Sequence, residues 1–244
     1  PKTDLEQFYP TQVLSTARDI INLWVARMVF SGLEFTKKPP FSDVIIHATI
    51  LTKDGKRMSK SLGTGVDPMI LIEKYGADAT RFGLIWQSMG GQDIHWAEEH
   101  VVAGKKFCNK IWNATRFVLQ NAQSTIDNRQ PTTITSRTEA DKEILEKLEK
   151  TKKEVTVLIE KYNFGQALHE LHNFFWHEFC DIYIETSKSQ ITNDKLQKNT
   201  EEILFYVLTE SLKLLHPFMP FITEEIWSRM PEEKKLLMVE QWPR

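Results

Sequence analysis

The sequence predicts a mainly α-helical chain in which an α/β portion with a parallel sheet leads into an all-α helical bundle. Three observations carry that expectation. The run Val44-Ile45-Ile46-His47-Ala48-Thr49-Ile50-Leu51 is β-branched and mostly apolar. It ends on the turn signal Lys53-Asp54-Gly55, which reads as a buried strand feeding a loop. A helical period precedes that strand, so helix and strand alternate as in a parallel sheet. Beyond Gly91 only helical periods remain.

The elements follow in order. Ile20, Leu23, Trp24, Arg27 and Met28 recur at three- and four-residue spacing and predict a helix across 17–33. A division falls near Gly90-Gly91, separating residues 1–91 from 92–244. Residues 98–120 form one long amphipathic segment with Phe107, Cys108, Ile111, Trp112, Val118 and Leu119 on one side. Residues 123–136 are polar and carry Asp127-Asn128 and Pro131, so they read as a linker. Thr138, with Asp141 three positions on, is an N-cap that opens a helix bearing Ile144, Leu148, Val155 and Leu158. Asn163 with Gln166 offers a second capping box for an aromatic helix carrying Leu168, Leu171, Phe174, Phe175 and Phe179. Residues 187–199 read as a polar connection. A helix over 201–215 ends before Pro217, and a short last one covers 223–230. Amphipathic helices joined by polar loops predict an antiparallel bundle.

Composition narrows the function classes. At 244 residues, with 41% hydrophobic and 26% charged, the chain can bury a core and hold one or two domains. It holds no apolar run of about 18 residues and no secretory signal, which predicts a cytoplasmic protein without a membrane partner. Cys108 and Cys180 are single and far apart, so free thiols are expected rather than zinc or a disulfide, and no resident metal is expected. The net charge of −2 excludes a protein that binds nucleic acid by bulk positive charge. Any RNA contact has to be local. Lys105, Lys106, Asn109, Lys110, Asn113 and Arg116 supply one candidate, because they cluster opposite the apolar stripe of the 98–120 helix. Cations there would meet phosphates and the Asn amides would reach ribose or base edges, although such a face is ordinarily just solvated.

The most specific string is Lys56-Arg57-Met58-Ser59-Lys60-Ser61-Leu62-Gly63, opened by Asp54-Gly55 and closed by Asp67-Pro68. Gly55 and Gly63 let the backbone turn and approach a phosphate, while the side chains between them bring positive charge and hydroxyl donors. Lys60 suits a mobile point charge and Arg57 a bidentate clamp on two oxygens. In a parallel α/β sheet such a loop sits at the carboxyl ends of the strands, where ligands bind.

This string resembles the signature loop of the class I aminoacyl-tRNA synthetases. Asp19-Ile20-Ile21-Asn22-Leu23-Trp24-Val25-Ala26-Arg27-Met28, Gly91-Gln92-Asp93-Ile94, Asn109-Lys110-Ile111-Trp112-Asn113-Ala114-Thr115-Arg116-Phe117 and His216-Pro217-Phe218-Met219-Pro220-Phe221 extend the likeness along nearly the whole chain. Within that family they are valyl in character, with the isoleucyl type as the alternative. The resemblance implies a portion of a Rossmann-like catalytic domain over 1–91, with its loop at 54–68, and an anticodon-binding bundle over 92–244. It implies ATP with Mg²⁺, valine and tRNA(Val) as partners of a monomeric enzyme, with Arg57, Ser59, Lys60 and Ser61 in the catalytic loop. Arg57, Met58, Lys60, His47 and Asp19 would attend ATP, and Trp24 would wall the amino-acid pocket.

The chain departs from the family pattern at several points. Arg57 stands where Lys is usual, and Ala48 follows His47 where the family has Gly. Thr64-Gly65 replaces an Asn-aliphatic pair, which predicts a looser loop exit. None of the seven His stands in a His-x-Gly-His pattern, and the chain opens on Pro1. The expectation is therefore a piece of a longer enzyme that does not aminoacylate alone. Two rival classes are a noncatalytic tRNA-binding module with a vestigial loop and a purely structural helical scaffold.

Overall fold

A computed structural model describes residues 2–59, 63–121, 134–230 and 235–243. Lys60, Ser61 and Leu62 of the basic string lie outside the described residues, as does most of the expected linker at 123–136. The chain divides into two compact units, one of residues 1–65 with 90–96, the other of 66–89 with 97–244.

In the first unit a short helix α1 (Asp4–Phe8) is held by a capping box between Thr3 and Glu6. Strands β1 (Val13–Ala17) and β2 (Asp43–His47) pair in parallel, Val13 opposite Asp43 and Ala17 opposite His47. A second parallel pair joins β3 (Ile50–Leu51) to β4 (Ile94–His95). Strands are parallel, as alternation with helices predicts, but each described sheet has two strands only. The single strand expected over 44–51 is broken at Ala48-Thr49. Thr49 sends its N–H to the Asp93 carboxylate at 3.1 Å and its carbonyl accepts from Ile94 at 2.9 Å, so it leaves the β2 ladder to join residues remote in sequence. The expectation of a buried strand is corrected too. Along β2 only Ile45 is half-buried and the other residues are exposed.

The helix expected across 17–33 is three pieces. Arg18–Ile20 is a 3₁₀ turn, Ile21–Val25 a π-helical turn, and α2 (Ala26–Thr36) the regular helix. Inserting π geometry rotates the side chains off a 3.6-residue face. Ile20, Leu23 and Trp24, whose spacing predicted the helix, are 38%, 61% and 44% exposed, while Val25 and Gly32 are buried.

The second unit is helical. Helices α3 (Pro68–Tyr75) and α4 (Ala77–Trp86) open it, α3 started by the Asp67 carboxylate accepting from the Met69 amide and by Pro68 in the first turn. They pack with the bundle that continues through α5 (Glu99–Asn121), α6 (Glu139–Glu160), α7 (Phe164–Asn173), a π-helical stretch Phe174–Tyr183, α8 (Ile184–Ile191), α9 (Gln197–Leu215) and α10 (Pro220–Ser228). Phe107, Ile111, Leu148, Leu168, Phe179 and Leu208 lie fully buried in a shared core. Gly104 lets α5 approach α4, since a Cβ there would sit 2.8 Å from the Ala79 carbonyl oxygen.

The Thr138 capping box forms as expected, and Asp141 in it is fully buried. Its carboxylate also accepts from the Tyr183 hydroxyl at 2.9 Å and from Asn199 Nδ2 at 3.2 Å. Asn163 stands at the N-cap of α7, but its side chain makes no capping bond, so the second box is absent. The polar connection expected over 187–199 shrinks to the residues between α8 and α9. Gln190 on α8 and Asn199 and Thr200 on α9 are buried, with Gln190 donating to Thr138 Oγ1 at 2.9 Å and accepting from Thr200 Oγ1 at 3.0 Å. Their polarity marks hydrogen bonds between helices rather than solvent. Cys108 and Cys180 are free thiols, each pushed up to about 12 by burial, and so are inert at neutral pH.

Candidate functional site

The basic loop begins as a hairpin. Leu51 bridges Arg57 in antiparallel fashion, the Thr52 amide donates to the Lys56 carbonyl at 2.8 Å, and Gly55 turns the chain at φ +75°. That left-handed φ favours Gly, and a Cβ at Gly55 would also come within 3.2 Å of the His95 ring. Further on, the Ser59 amide donates to Thr64 Oγ1 at 2.9 Å and the Thr64 amide to the Ser59 carbonyl at 3.2 Å. Thr64 thus bonds back to Ser59 across the described ends of the loop.

Two residues singled out from distant parts of the sequence meet at this loop. Arg57 is ion-paired with Asp19, which lies just past the carboxyl end of β1. His47 ends β2, and its Nδ1 lies 3.1 Å from the Ala48 carbonyl oxygen. Ala17 and His47 are opposite one another in the sheet, so Asp19 and His47 both belong to its carboxyl edge. Parallel sheets present ligand sites at that edge. Arg57 and Asp19 side chains are 64% and 51% exposed, hence open to a ligand. Met58 and Ser59 are half-buried at the loop's base. Trp24 is 44% exposed on the π turn that follows Asp19, so it is not a core residue of this unit. π turns occur often at functional sites.

Sequence reasoning gave no role to Arg18 or Asp93. Arg18 is ion-paired with Asp93, and the Asp93 carboxylate also holds the Thr49 amide. Only the string Gly91-Gln92-Asp93-Ile94 hinted at Asp93; no local signal pointed to Arg18.

In the second unit, Lys105, Lys106, Asn109, Asn113 and Arg116 are exposed on α5, as the helical period predicts. Lys110 differs. It donates to Asp181 at 2.6 Å and lies 5.1 Å from the centre of the Trp176 ring, and Asp181 is also 3.2 Å from His177 Nδ1. That donation from Lys110 is the main force holding the Asp181 carboxyl below its ordinary value. Arg116 also borders a cavity of about 250 Å³ with Trp112 and Arg229, where the Arg229 guanidinium sits 5.0 Å from the Trp112 ring centre. The cationic face therefore adjoins an aromatic surface. Among the described residues no cluster of three or more His, Cys, Asp or Glu is arranged to hold a metal, and no helix is long and apolar enough to cross a membrane.

Two stretches of the chain match different parts of known enzymes, and the first of them includes residues of both compact units. Residues 1–97 match the tRNA synthetases of class I (I, L, M and V), and residues 141–244 match the anticodon-binding domain of tRNA ligase. Among curated proteins, the chain is 47% identical over 243 residues to the valine-tRNA ligase of Bacillus subtilis, covering 98% of this chain and 27% of that enzyme. It is 49% identical over 242 residues to that of Clostridium tetani, again covering 98% and 27%. The chain thus spans about 27% of the length of these relatives. A solved structure of similar fold is the ternary complex of Agrobacterium radiobacter K84 LeuRS with tRNA and LeuAMS. It has a TM-score of 0.79 at 22% identity, over 96% of this chain and 28% of that one.

Proposed function

Because this chain belongs to the class I tRNA synthetases and its relatives at 47–49% identity are valine-tRNA ligases, we propose that it serves valine activation and tRNA(Val) recognition. Residues 1–91 supply a Rossmann-like part of the catalytic domain, and residues 92–244 the anticodon-binding bundle. The observation that carries the reading is the meeting of Arg57 and Asp19 at the carboxyl edge of the β1–β2 sheet.

In the proposed reaction the valine carboxylate attacks the α-phosphate of ATP and pyrophosphate leaves. Negative charge then grows on the β- and γ-phosphates. Arg57 and Lys60 stabilise it, with the Ser59 and Ser61 hydroxyls and the backbone at Met58 as further donors to phosphate. Asp19 faces the adenylate ribose and His47 lies beside the nucleotide. Since Asp19 holds Arg57 before ATP arrives, the nucleotide exchanges that ion pair for its own contacts with both residues. The half-exposed indole of Trp24 offers a flat apolar wall to a branched side chain. No group of described residues forms a metal cage, and Mg²⁺ suits this site as an ion carried on phosphate oxygens. The cationic face of α5 receives the tRNA backbone. The enzyme acts as a cytoplasmic monomer.

The test is valine-dependent exchange between ATP and pyrophosphate by the complete translation product that carries this sequence, with isoleucine as the comparison. Exchange driven by valine supports the proposal. Exchange driven by isoleucine instead, or by neither amino acid, contradicts it.

A further inference from the structure

We propose that Asp93 is a positioning residue for the nucleotide loop: its pairing with Arg18 and with the Thr49 amide sets the placement in which Asp19 meets Arg57. The proposal rests on reading residues 54–68 as the ATP loop.

The contacts close a ring. Arg18 and Asp19 are neighbours in the 3₁₀ turn after β1, and each reaches a different remote segment: Arg18 pairs with Asp93, Asp19 with Arg57. Asp93 leads directly into β4. There Ile94 and His95 stand opposite Ile50 and Leu51, with the Ile94 amide donating to Thr49 and the Trp96 amide to Leu51, each at 2.9 Å. Leu51 in turn bridges Arg57 across the hairpin. The His95 ring lies against Gly55 at the hairpin's tip, with Nδ1 3.4 Å from the Lys53 carbonyl oxygen. From Arg18 the ring therefore runs through Asp93, β4, Leu51 and Arg57 to Asp19, which is bonded to Arg18.

The Arg18 and Asp93 side chains are 46% and 30% exposed. A pair so open to water adds little to stability. Its value is geometric, because the carboxylate holds two partners that belong to the ends of different strands, β1 and β3. Asp93→Asn keeps the side-chain volume and an acceptor for the Thr49 amide but gives up the charge that holds Arg18. The turn carrying Asp19 is then free to shift relative to the loop carrying Arg57. A displacement of about 1 Å in a catalytic group costs on the order of 100-fold in rate.

The test is valine-dependent ATP–pyrophosphate exchange by the complete translation product, unsubstituted and as Asp93→Asn, Arg18→Leu and the double variant. Both single variants lower kcat about 10- to 100-fold with much smaller changes in the KM for ATP, the mark of impaired transition-state placement rather than impaired binding. The double variant is no slower than Asp93→Asn, because both changes break one interaction. In the 244-residue chain, Asp93→Asn raises hydrogen exchange over 49–59 and leaves 101–118 in the bundle unchanged. A normal kcat in Asp93→Asn, losses that multiply in the double variant, or unaltered exchange over 49–59 overturns the positioning role while leaving the ATP-loop reading intact. No pyrophosphate exchange by the unsubstituted protein overturns both.

Discussion

Arg57 on the basic loop is ion-paired with Asp19 beyond the end of β1, 38 positions earlier in the chain. Both side chains are more than half exposed, and such a pair contributes less than about 1 kcal/mol to stability. Its consequence is orientation. A guanidinium that would otherwise sweep through solvent is held at the edge of a parallel sheet. In the proposed reaction, that is where charge develops on the leaving pyrophosphate.

Arg57→Ala removes a preorganised cation and lowers kcat for valine-dependent pyrophosphate exchange about 100-fold. Arg57→Lys keeps the charge but loses the planar guanidinium that pairs with Asp19, and its rate falls between those of the unsubstituted protein and Arg57→Ala. Steady-state kinetics of the three proteins checks the order.

Asp141 is a fully buried carboxylate held by several donors. It accepts from the Arg137 and Thr138 amides at 3.1 Å, from the Tyr183 hydroxyl and from Asn199. Burial, together with the Asp141 charge, pushes the Tyr183 phenol far up, so it remains a donor at all working pH values. Asp141→Ala leaves several buried donors without a partner and costs about 3 kcal/mol of stability. Urea unfolding followed by circular dichroism measures it. Ser189→Ala, at an exposed site, serves as a control with little effect.

His172 lies among Phe82, Trp86, Phe107 and Trp176. Burial, then the neighbouring His177 and His169, lowers its pKa from the ordinary 6.5 to about 4. Between those values the unfolded chain binds the proton and the folded one does not, so stability rises with pH across that window. The contribution is fully present above 6.5 and is lost as the pH falls to 4. Urea midpoints measured from pH 7 down to 4 therefore decline, and His172→Phe shows a shallower decline.

How far the sequence alone reaches depends on how local each signal is. The stripe Phe107, Ile111 and Val118 is legible because a helix repeats every 3.6 residues, and all three are buried. Thr138 is legible because a capping box spans three positions. Residues 187–199 pass for a loop in the sequence because Gln190 and Asn199 look solvated until their partners on other helices, Thr138, Thr200 and Asp141, are known. The regular helix expected through Trp24 gives way to a π turn that shifts the helical phase, and no residue type signals such a turn. At the candidate site, the individual residues Asp19 and Arg57 are legible from motifs. Their pairing, and that of Arg18 with Asp93 at a separation of 75 residues, exists only once the strands associate. The packing of helices α3 and α4 with the bundle has no local sign in the sequence either.

The central claim, that one chain joins an ATP loop to a tRNA-reading bundle, is tested most directly by fluorescence anisotropy of tRNA(Val) binding to the 244-residue chain across a salt series. The same tRNA with altered anticodon bases and a Lys105→Ala/Lys106→Ala variant complete the comparison. The account predicts tighter binding of the unaltered tRNA. It also predicts that the double substitution weakens binding of both RNAs and reduces the salt slope by about 0.7 to 0.9 for each phosphate that the protein no longer neutralises. Equal binding of the two RNAs, with an unchanged slope in the variant, would contradict it.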